Sequence, residues 1–384
     1  MRGRLTERHR HRTILRHARG RRRPNDRAVI VPDKTATAED VEIAARLLLA
    51  YKMAVAAAPT GTRSDVWSGI AEQQQEFGAI LAADDAGRLA QYLCNVSRRD
   101  ASIGITQGVF EFRRISRDVS YRNYLALLAK DRLVSLAEAV GAIAVENPEQ
   151  GPYGANLYLA PGDVVDRASR CLGLSLAPPD IDGGLFKLDT GRGLFGERDA
   201  TAIYTAWLLS KILADQKNAR VCEIGGGSGR VAYWSHRMGL VCYTLIDLPR
   251  TNVVQGYYAL KSLPPRSVVL YGEEPPPGET DCLKILPAHA ISAISEPAYD
   301  LVLNQDSFPE INRDSVIEYL KWIRTTCTGQ LLSINHESMP PYGGDGVQLS
   351  VRDAVADVGG FELKARWPDW MRHGYVGELY RVLA

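Results

Sequence analysis

The sequence predicts an α/β protein whose second half is a doubly wound, mostly parallel sheet of seven strands, preceded by a mainly helical segment. Three observations carry this. From residue 221 onward, the short apolar runs "RVCEIG", "VCYTLID", "SVVLYG", "DLVLNQ" and "QLLSIN" alternate with helical or loop stretches, the rhythm of parallel strands joined by crossovers. Before residue 180, apolar residues recur at helical spacing and few alternating strands are evident. Between the halves, "APPDIDGGLFKLDTGRGLFG" (177–196) has the Pro and Gly content of a joint.

The helices announce their ends. In "TATAEDVEIAARLLLAYKMAVAAAP", Thr37 and Asp40 stand at capping-box spacing and Pro59 supplies the stop. "SYRNYLALLAKDRLVSLAEAVGAI" (120–143) carries Leu125, Leu128, Leu133 and Leu136 on one helical face, and "PGDVVDRASRCLG" opens on Pro161 and closes on Gly173. A helix over 197–217 leads into the strand-rich half, and "WPDWMRHGYVGELYRVLA" alternates as closing antiparallel strands do. In that closing segment Trp367, Trp370 and Tyr375 read as core or edge packing.

A chain of 384 residues exceeds the usual single domain, so the expected organisation is a basic arm over 1–30, a helical domain over 31–195 and an α/β domain over 196–384. The composition, 45% hydrophobic and 24% charged, is that of a globular protein, and a net charge of +1 excludes the strong positive field of a general nucleic-acid binder. Six cysteines without CxxC spacing read as free thiols of a reducing cytoplasm and argue against structural zinc. The most apolar stretch, "VEIAARLLLAYKMAVAAA", is interrupted by Glu42, Arg46 and Lys52, so no membrane partner is expected. The Arg-rich start lacks a signal-peptide core and reads as a solvated arm, with an RNA-binding tail as the alternative. Whether the chain forms a homo-oligomer is open.

The most informative stretch is "VCEIGGGSGRVAY" (221–233), which packs four glycines into five positions directly after a strand. A dinucleotide site needs G-x-G-x-x-G, whose third glycine permits close helix–strand packing beside a pyrophosphate. Here Gly225, Gly227 and Gly229 give G-x-G-x-G, and Arg230 occupies the position of that third glycine. Glu223, two residues before the turn, repels a pyrophosphate and attracts a ligand bearing an ammonium group. Asp247 ends the second strand at the spacing where a carboxylate accepts hydrogen bonds from ribose hydroxyls. The third strand ends "LYGEEP", where Gly272 and Glu273 suit an adenine edge, and the fourth ends on Asn304, Gln305, Asp306 and Ser307, where open α/β sheets hold ligands.

The glycine turn with its acid resembles the first motif of the class I methyltransferases that use S-adenosylmethionine. The combination "EIGGGSGRVAYW", "LIDLPRTNVVQGYYAL", "LVLNQDSFPEI" and "SINHES" is similar to that of the bacterial sugar O-methyltransferase family, over about residues 196–384 and more loosely over 91–108. Asp247-Leu248-Pro249, Tyr257-Tyr258, Asn304, Ser307, Phe308 and Glu310 fall on recurring positions of that family, while Ser228 stands where it often has an aromatic residue. The resemblance implies a Rossmann-like methyltransferase domain with S-adenosylmethionine as cofactor. The expected cofactor residues are Glu223, Gly225, Gly227, Gly229, Asp247, Leu248, Gly272, Glu273, Asn304 and Gln305.

A sugar or glycoside hydroxyl as acceptor needs a base as its bond forms. His336, directly after "LLSIN", is the first choice, with Glu310 and Asp306 as rivals that could instead hold a Mg²⁺ or cap the helix starting near Asn312. Metal use is undecided at this point. "PPYGGDGVQLS" (340–350) reads as a glycine-rich lid or an ordinary loop. The turns "GITQG" (104–108) and "GPYGAN" (151–156) are expected to face the site. A nicotinamide-dependent oxidoreductase, a non-catalytic binding protein on the same scaffold, and an RNA methyltransferase using the basic arm remain the alternatives.

Overall fold

The structure, a computed structural model, describes residues 26–59, 66–106, 108–147, 149, 154–183, 186–277, 281–337 and 349–383. The chain divides into two compact units. The basic arm up to residue 25, part of the "GPYGAN" turn and the expected lid over 338–348 lie outside the described residues.

One unit gathers residues 118–178 and 186–201 with the stretch ending at Ile30. It is not purely helical. β1 (Arg27–Ile30), β2 (Phe186–Asp189) and β3 (Leu194–Phe195) form a three-stranded antiparallel sheet, in which Ile30 pairs with Phe186 and Leu188 with Phe195. Strands this short and this far apart leave no alternating pattern in the sequence, which reads as mainly helical here. The helices Val119–Ala139 and Pro161–Leu172 are as expected, the first capped by Asp118 and the second opened by Pro161 and closed by Gly173 in the left-handed region. Lys130, 1% exposed, forms an ion pair with Asp26 at 2.9 Å.

The other unit contains residues 31–117, 179–185 and 202–384, so the compact units do not follow the expected boundary near residue 195. The reason is packing. The helix Ala38–Ala56, opened by the Thr37/Asp40 capping box, lies along the helix Pro249–Ser262. Its Leu47 comes so close to Gly256 that a Cβ there would collide with it. Arg46 is held by both Glu273 oxygens and donates to the Val268 carbonyl (2.7 Å).

The large sheet comprises β4 (Val221–Ile224), β5 (Tyr243–Asp247), β6 (Val268–Leu270), β7 (Leu283–Pro287), β8 (Tyr299–Gln305), β9 (Cys327–His336), β10 (Phe361–Pro368) and β11 (Tyr375–Val382). Their order is β10-β11-β9-β8-β4-β5-β7-β6, with β4 to β9 parallel and β11 antiparallel to both of its neighbours, β9 and β10. This is a doubly wound, Rossmann-like sheet with eight strands rather than seven. The extra strand is β6: the neighbour of β5 is β7, with Pro287 opposite Asp247, and β6 is added outside it.

From β4 the chain builds outward through β5 on one side and returns to β8 on the other, so the reversal of strand order lies between β4 and β8. Crevices at the carboxyl ends of such strands are where this architecture accommodates ligands. Cys222, Ile224, Val302, Phe308, Leu320, Ile323 and Leu331 form the core behind that edge.

Candidate functional site

At the end of β4 the chain enters the glycine turn, where Gly225, Gly227 and Gly229 all have positive φ (+77°, +57° and +80°). Residues with a Cβ avoid this region, and two further contacts exclude one here. A Cβ on Gly225 would run into the Ser307 side chain, and one on Gly226 would come within 2.5 Å of Leu245. Gly229 serves as N-cap of the helix Arg230–Arg237. The backbone therefore lies bare at the crevice, as the sequence demands.

Two carboxylates flank the turn. Glu223 is 2% exposed and accepts a hydrogen bond from the Tyr243 hydroxyl at 2.9 Å. Burial raises its pKa to about 7, against that hydrogen bond and with the Asp247 charge adding to the rise. Asp247 ends β5. Its side chain keeps some exposure, yet the crowding around it raises its pKa to about 7 as well. The Leu248 amide (2.8 Å), the Gln255 side-chain amide (2.8 Å), the Gly227 N–H and Thr251 oppose that shift by favouring the charged form. The next residue, Leu248, is 40% exposed, an apolar side chain presented beside the acid.

Asn304 is fully buried. Its amide donates to the Ile224 carbonyl (3.0 Å) and to Ser307 Oγ (2.6 Å), and its Oδ1 accepts from Asn335 (2.9 Å). It ties the tips of β4 and β9 to the turn after β8. Gln305 accepts from Thr205 at 3.0 Å. Gly272 and Glu273 follow the outer strand β6, and the Glu273 carboxylate is engaged by Arg46 and the Leu270 amide (2.8 Å). The turn beside Asp247 is instead the one after β7, which leads into Ala288 and His289. Sequence reading took β6 for the third strand because it is equally apolar; only pairing distinguishes them.

On the other side of the switch point, Asp306 adopts a left-handed backbone (φ +59°), unusual for a residue with a side chain. Its carboxylate is paired with Arg372 and accepts the Tyr375 hydroxyl at 2.5 Å. The Arg372 guanidinium lies 3.7 Å from the centre of the Tyr375 ring, and that ring meets His336 edge-on at 5.6 Å between centroids. His336 ends β9 opposite Tyr375 of β11. The structure thus joins His336 and Asp306 through Tyr375 and Arg372, two residues that sequence reading had not assigned to the site.

Glu310 closes the short turn Phe308–Glu310, its amide donating to Ser307 (2.9 Å), and the following helix is capped by Asn312 itself rather than by Asp306 or Glu310. Asp306 is already paired to a cation, Arg372. Among the described residues no group of three or more His, Cys, Asp or Glu could hold a metal ion.

A cleft adjoins the turn, lined among others by Ser228, Arg230, Tyr257, Tyr258, Ser102 and Ile105. Ile105, from the "GITQG" turn, lies 3.7 Å from where a Gly227 Cβ would be. Arg230 bonds Ser228 and sits over the Tyr258 ring at 5.3 Å, filling the position where a dinucleotide turn has its third glycine.

No helix among the described residues is long and apolar enough to cross a membrane. No protein-family model matches the chain, and no curated protein matches its sequence at a significant level. Among solved structures it is similar to the magnesium protoporphyrin IX methyltransferase of Synechocystis PCC 6803, with S-adenosylhomocysteine bound, at 12% identity and a TM-score of 0.36, over 49% of this chain and 86% of that one. It is also similar to the CcbJ methyltransferase of Streptomyces caelestis, at 16% identity and a TM-score of 0.34, over 48% of this chain and 90% of that one. A third similarity is to the glycopeptide N-methyltransferase MtfA in complex with sinefungin, at 14% identity and a TM-score of 0.34, over 48% and 94%.

Proposed function

We propose that this protein transfers a methyl group from S-adenosylmethionine to a hydroxyl of a sugar or glycosylated metabolite. The observation that carries the proposal is the bare glycine turn at the switch point with an acid at the tip of each adjoining strand, Glu223 before it and Asp247 beside it. The left-handed glycines leave room for a nucleoside-linked chain against the backbone, Asp247 suits a ribose diol, and Leu248 offers an apolar surface to a base. Above its pKa of about 7, ionised Glu223 lends negative potential beside the turn, which favours a cationic group over a phosphate. S-adenosylmethionine bound there supplies an electrophilic methyl group on a cationic sulfur.

The remaining work falls to positioning and proton removal. Holding an acceptor oxygen in line contributes through effective molarity, and a base at the right distance takes the proton as the bond forms. In this proposal His336 is that base and Glu310 its rival. Asp306 is assigned to orientation, because its oxygens already serve Tyr375 and Arg372.

Calorimetry of the full chain with S-adenosylhomocysteine and, separately, with NAD tests the cofactor class. The expected outcome is binding of the first alone, and binding of NAD alone would refute the proposal. For the acceptor, transfer from labelled cofactor is to be measured across a panel of glycosides. His336→Ala is expected to lower turnover by ~10²-fold while leaving S-adenosylhomocysteine affinity nearly intact.

A further inference from the structure

We propose that Gln255 is a positioning residue of the cofactor site, one that aims the Asp247 carboxylate at a ribose diol and keeps it ionised for that purpose. The inference rests on the cofactor reading above and adds a residue which that reading did not contain.

Gln255 is fully buried in the helix Pro249–Ser262, among Val253, Val254, Tyr257 and Leu260, where a side-chain amide needs a reason to be. Its Nε2 donates to Asp247 Oδ2 at 2.8 Å, and its Oε1 accepts from Asn252 Nδ2 at 3.0 Å. The second bond fixes the first: with Oε1 committed to Asn252, only the amino group can face the acid. Asn252 gives its donor to this chain while its own Oδ1 is buried without a hydrogen-bond partner among the described residues, an arrangement that costs stability and serves the direction of the relay. Gln255 also lies under the glycine turn, its Cα 3.8 Å from where a Gly229 Cβ would be. The residue therefore stands beside the turn while its side chain bonds the acid.

The electrostatic surroundings explain why such a donor matters. From β4, Glu223, bonded to Tyr243 of β5, faces Asp247 with a like charge. On the helix itself Arg250 is directed to the Ala71 carbonyl (3.1 Å), and beyond β7 the imidazole of His289 packs against Tyr271. Ionised Asp247 is favoured by the Leu248 and Gly227 N–H groups, Thr251 and Gln255. Of these, Gln255 and Thr251 act through their side chains, and Gln255→Met removes the Gln255 donor with little change of shape. Loss of that donor moves the Asp247 pKa further up from about 7, so the acid protonates at a higher pH and becomes a weaker acceptor for a ribose diol.

The test uses the full chain and two probes, S-adenosylhomocysteine and 5′-methylthioadenosine, which share the nucleoside and differ in the amino-acid end. Binding is measured by calorimetry from pH 6 to 8.5. Gln255→Met is expected to weaken both probes alike, by about tenfold at pH 7.5, and to move the acid-side loss of affinity to higher pH by half a unit or more. Unchanged affinity, or weaker binding with an unmoved pH dependence, overturns the proposal, because a purely structural side chain would lower affinity without shifting the titration. Should Gln255→Met not fold, Asn252→Ala keeps the question open to refutation. It frees the Gln255 amide and is expected to shift the same pH dependence in the same direction, and no shift counts against the proposal. Wild-type protein that binds neither probe refutes the cofactor reading itself, a result distinct from either variant outcome.

Discussion

Gly225 shows how much a single residue can decide. Its positive φ costs any residue with a Cβ about 1–2 kcal/mol, and the Ser307 side chain occupies the space the Cβ would need. Gly225→Ala is expected to lower stability by at least that amount in urea unfolding and to weaken S-adenosylhomocysteine binding more than Gly239→Ala, whose Cβ would meet open space at a comparable φ. Glu223 offers a second test at this scale. Its pKa is raised to about 7, so the folded state holds a proton that the unfolded chain has already lost. Its contribution is favourable at low pH and is lost as pH rises from the ordinary carboxylate range through about 7. Glu223→Gln keeps an acceptor for Tyr243 without the buried charge. Relative to wild type it is expected to gain stability between pH 5.5 and 8 by on the order of 2 kcal/mol, read from parallel denaturation curves.

At the scale of elements, the β4 and β8 tips are tied by Asn304, whose amide reaches the Ile224 carbonyl and Ser307, and whose carbonyl takes the Asn335 amide. Asn304→Ala leaves buried partners unpaired on β4, on β9 and in the turn after β8, and is expected to destabilise the protein by ~2–3 kcal/mol in urea unfolding. The sequence placed Asn304 at the right strand end but could not say which way it faces, since a strand terminus can point its last side chain into the crevice or behind it. The same holds for β6 and β7. Both are short apolar runs, and their order is fixed by the pairing of Asp247 with Pro287, a contact between residues forty apart. Helix ends were easier to read, because the Thr37/Asp40 box and the Pro161 and Gly173 boundaries act through neighbours in the chain.

For the molecule as a whole, cofactor binding and stability are one equilibrium. A ligand that binds only the folded state at one hundred times its Kd adds about 2.7 kcal/mol, so S-adenosylhomocysteine is expected to raise the Tm of the wild-type protein while NAD leaves it unchanged. The compact units bear on where that stabilisation acts. Residues 31–117 group with the large sheet, and Ile105 reaches the glycine turn, so the segment once expected to form a separate helical domain belongs in part to the unit that carries the site. Ile105→Ala is accordingly expected to weaken cofactor binding severalfold, whereas an exposed apolar residue of that segment such as Leu49, 62% exposed, is expected to tolerate the same change.

By itself the sequence determined what depends on local conformation: the alternation of strands and helices, the caps that bound them, and the glycine spacing that permits a left-handed turn after β4 with an acid on either side. Tertiary structure decided what depends on which distant residues meet. It assigned β7 rather than β6 to the side of β5, joined His336 to Asp306 through Tyr375 and Arg372, and turned a buried glutamine in a helix toward Asp247. Local rules act within a few residues and leave a readable pattern. Pairing and side-chain orientation are settled by the packing of segments tens or hundreds of residues apart, and no short stretch of sequence records them.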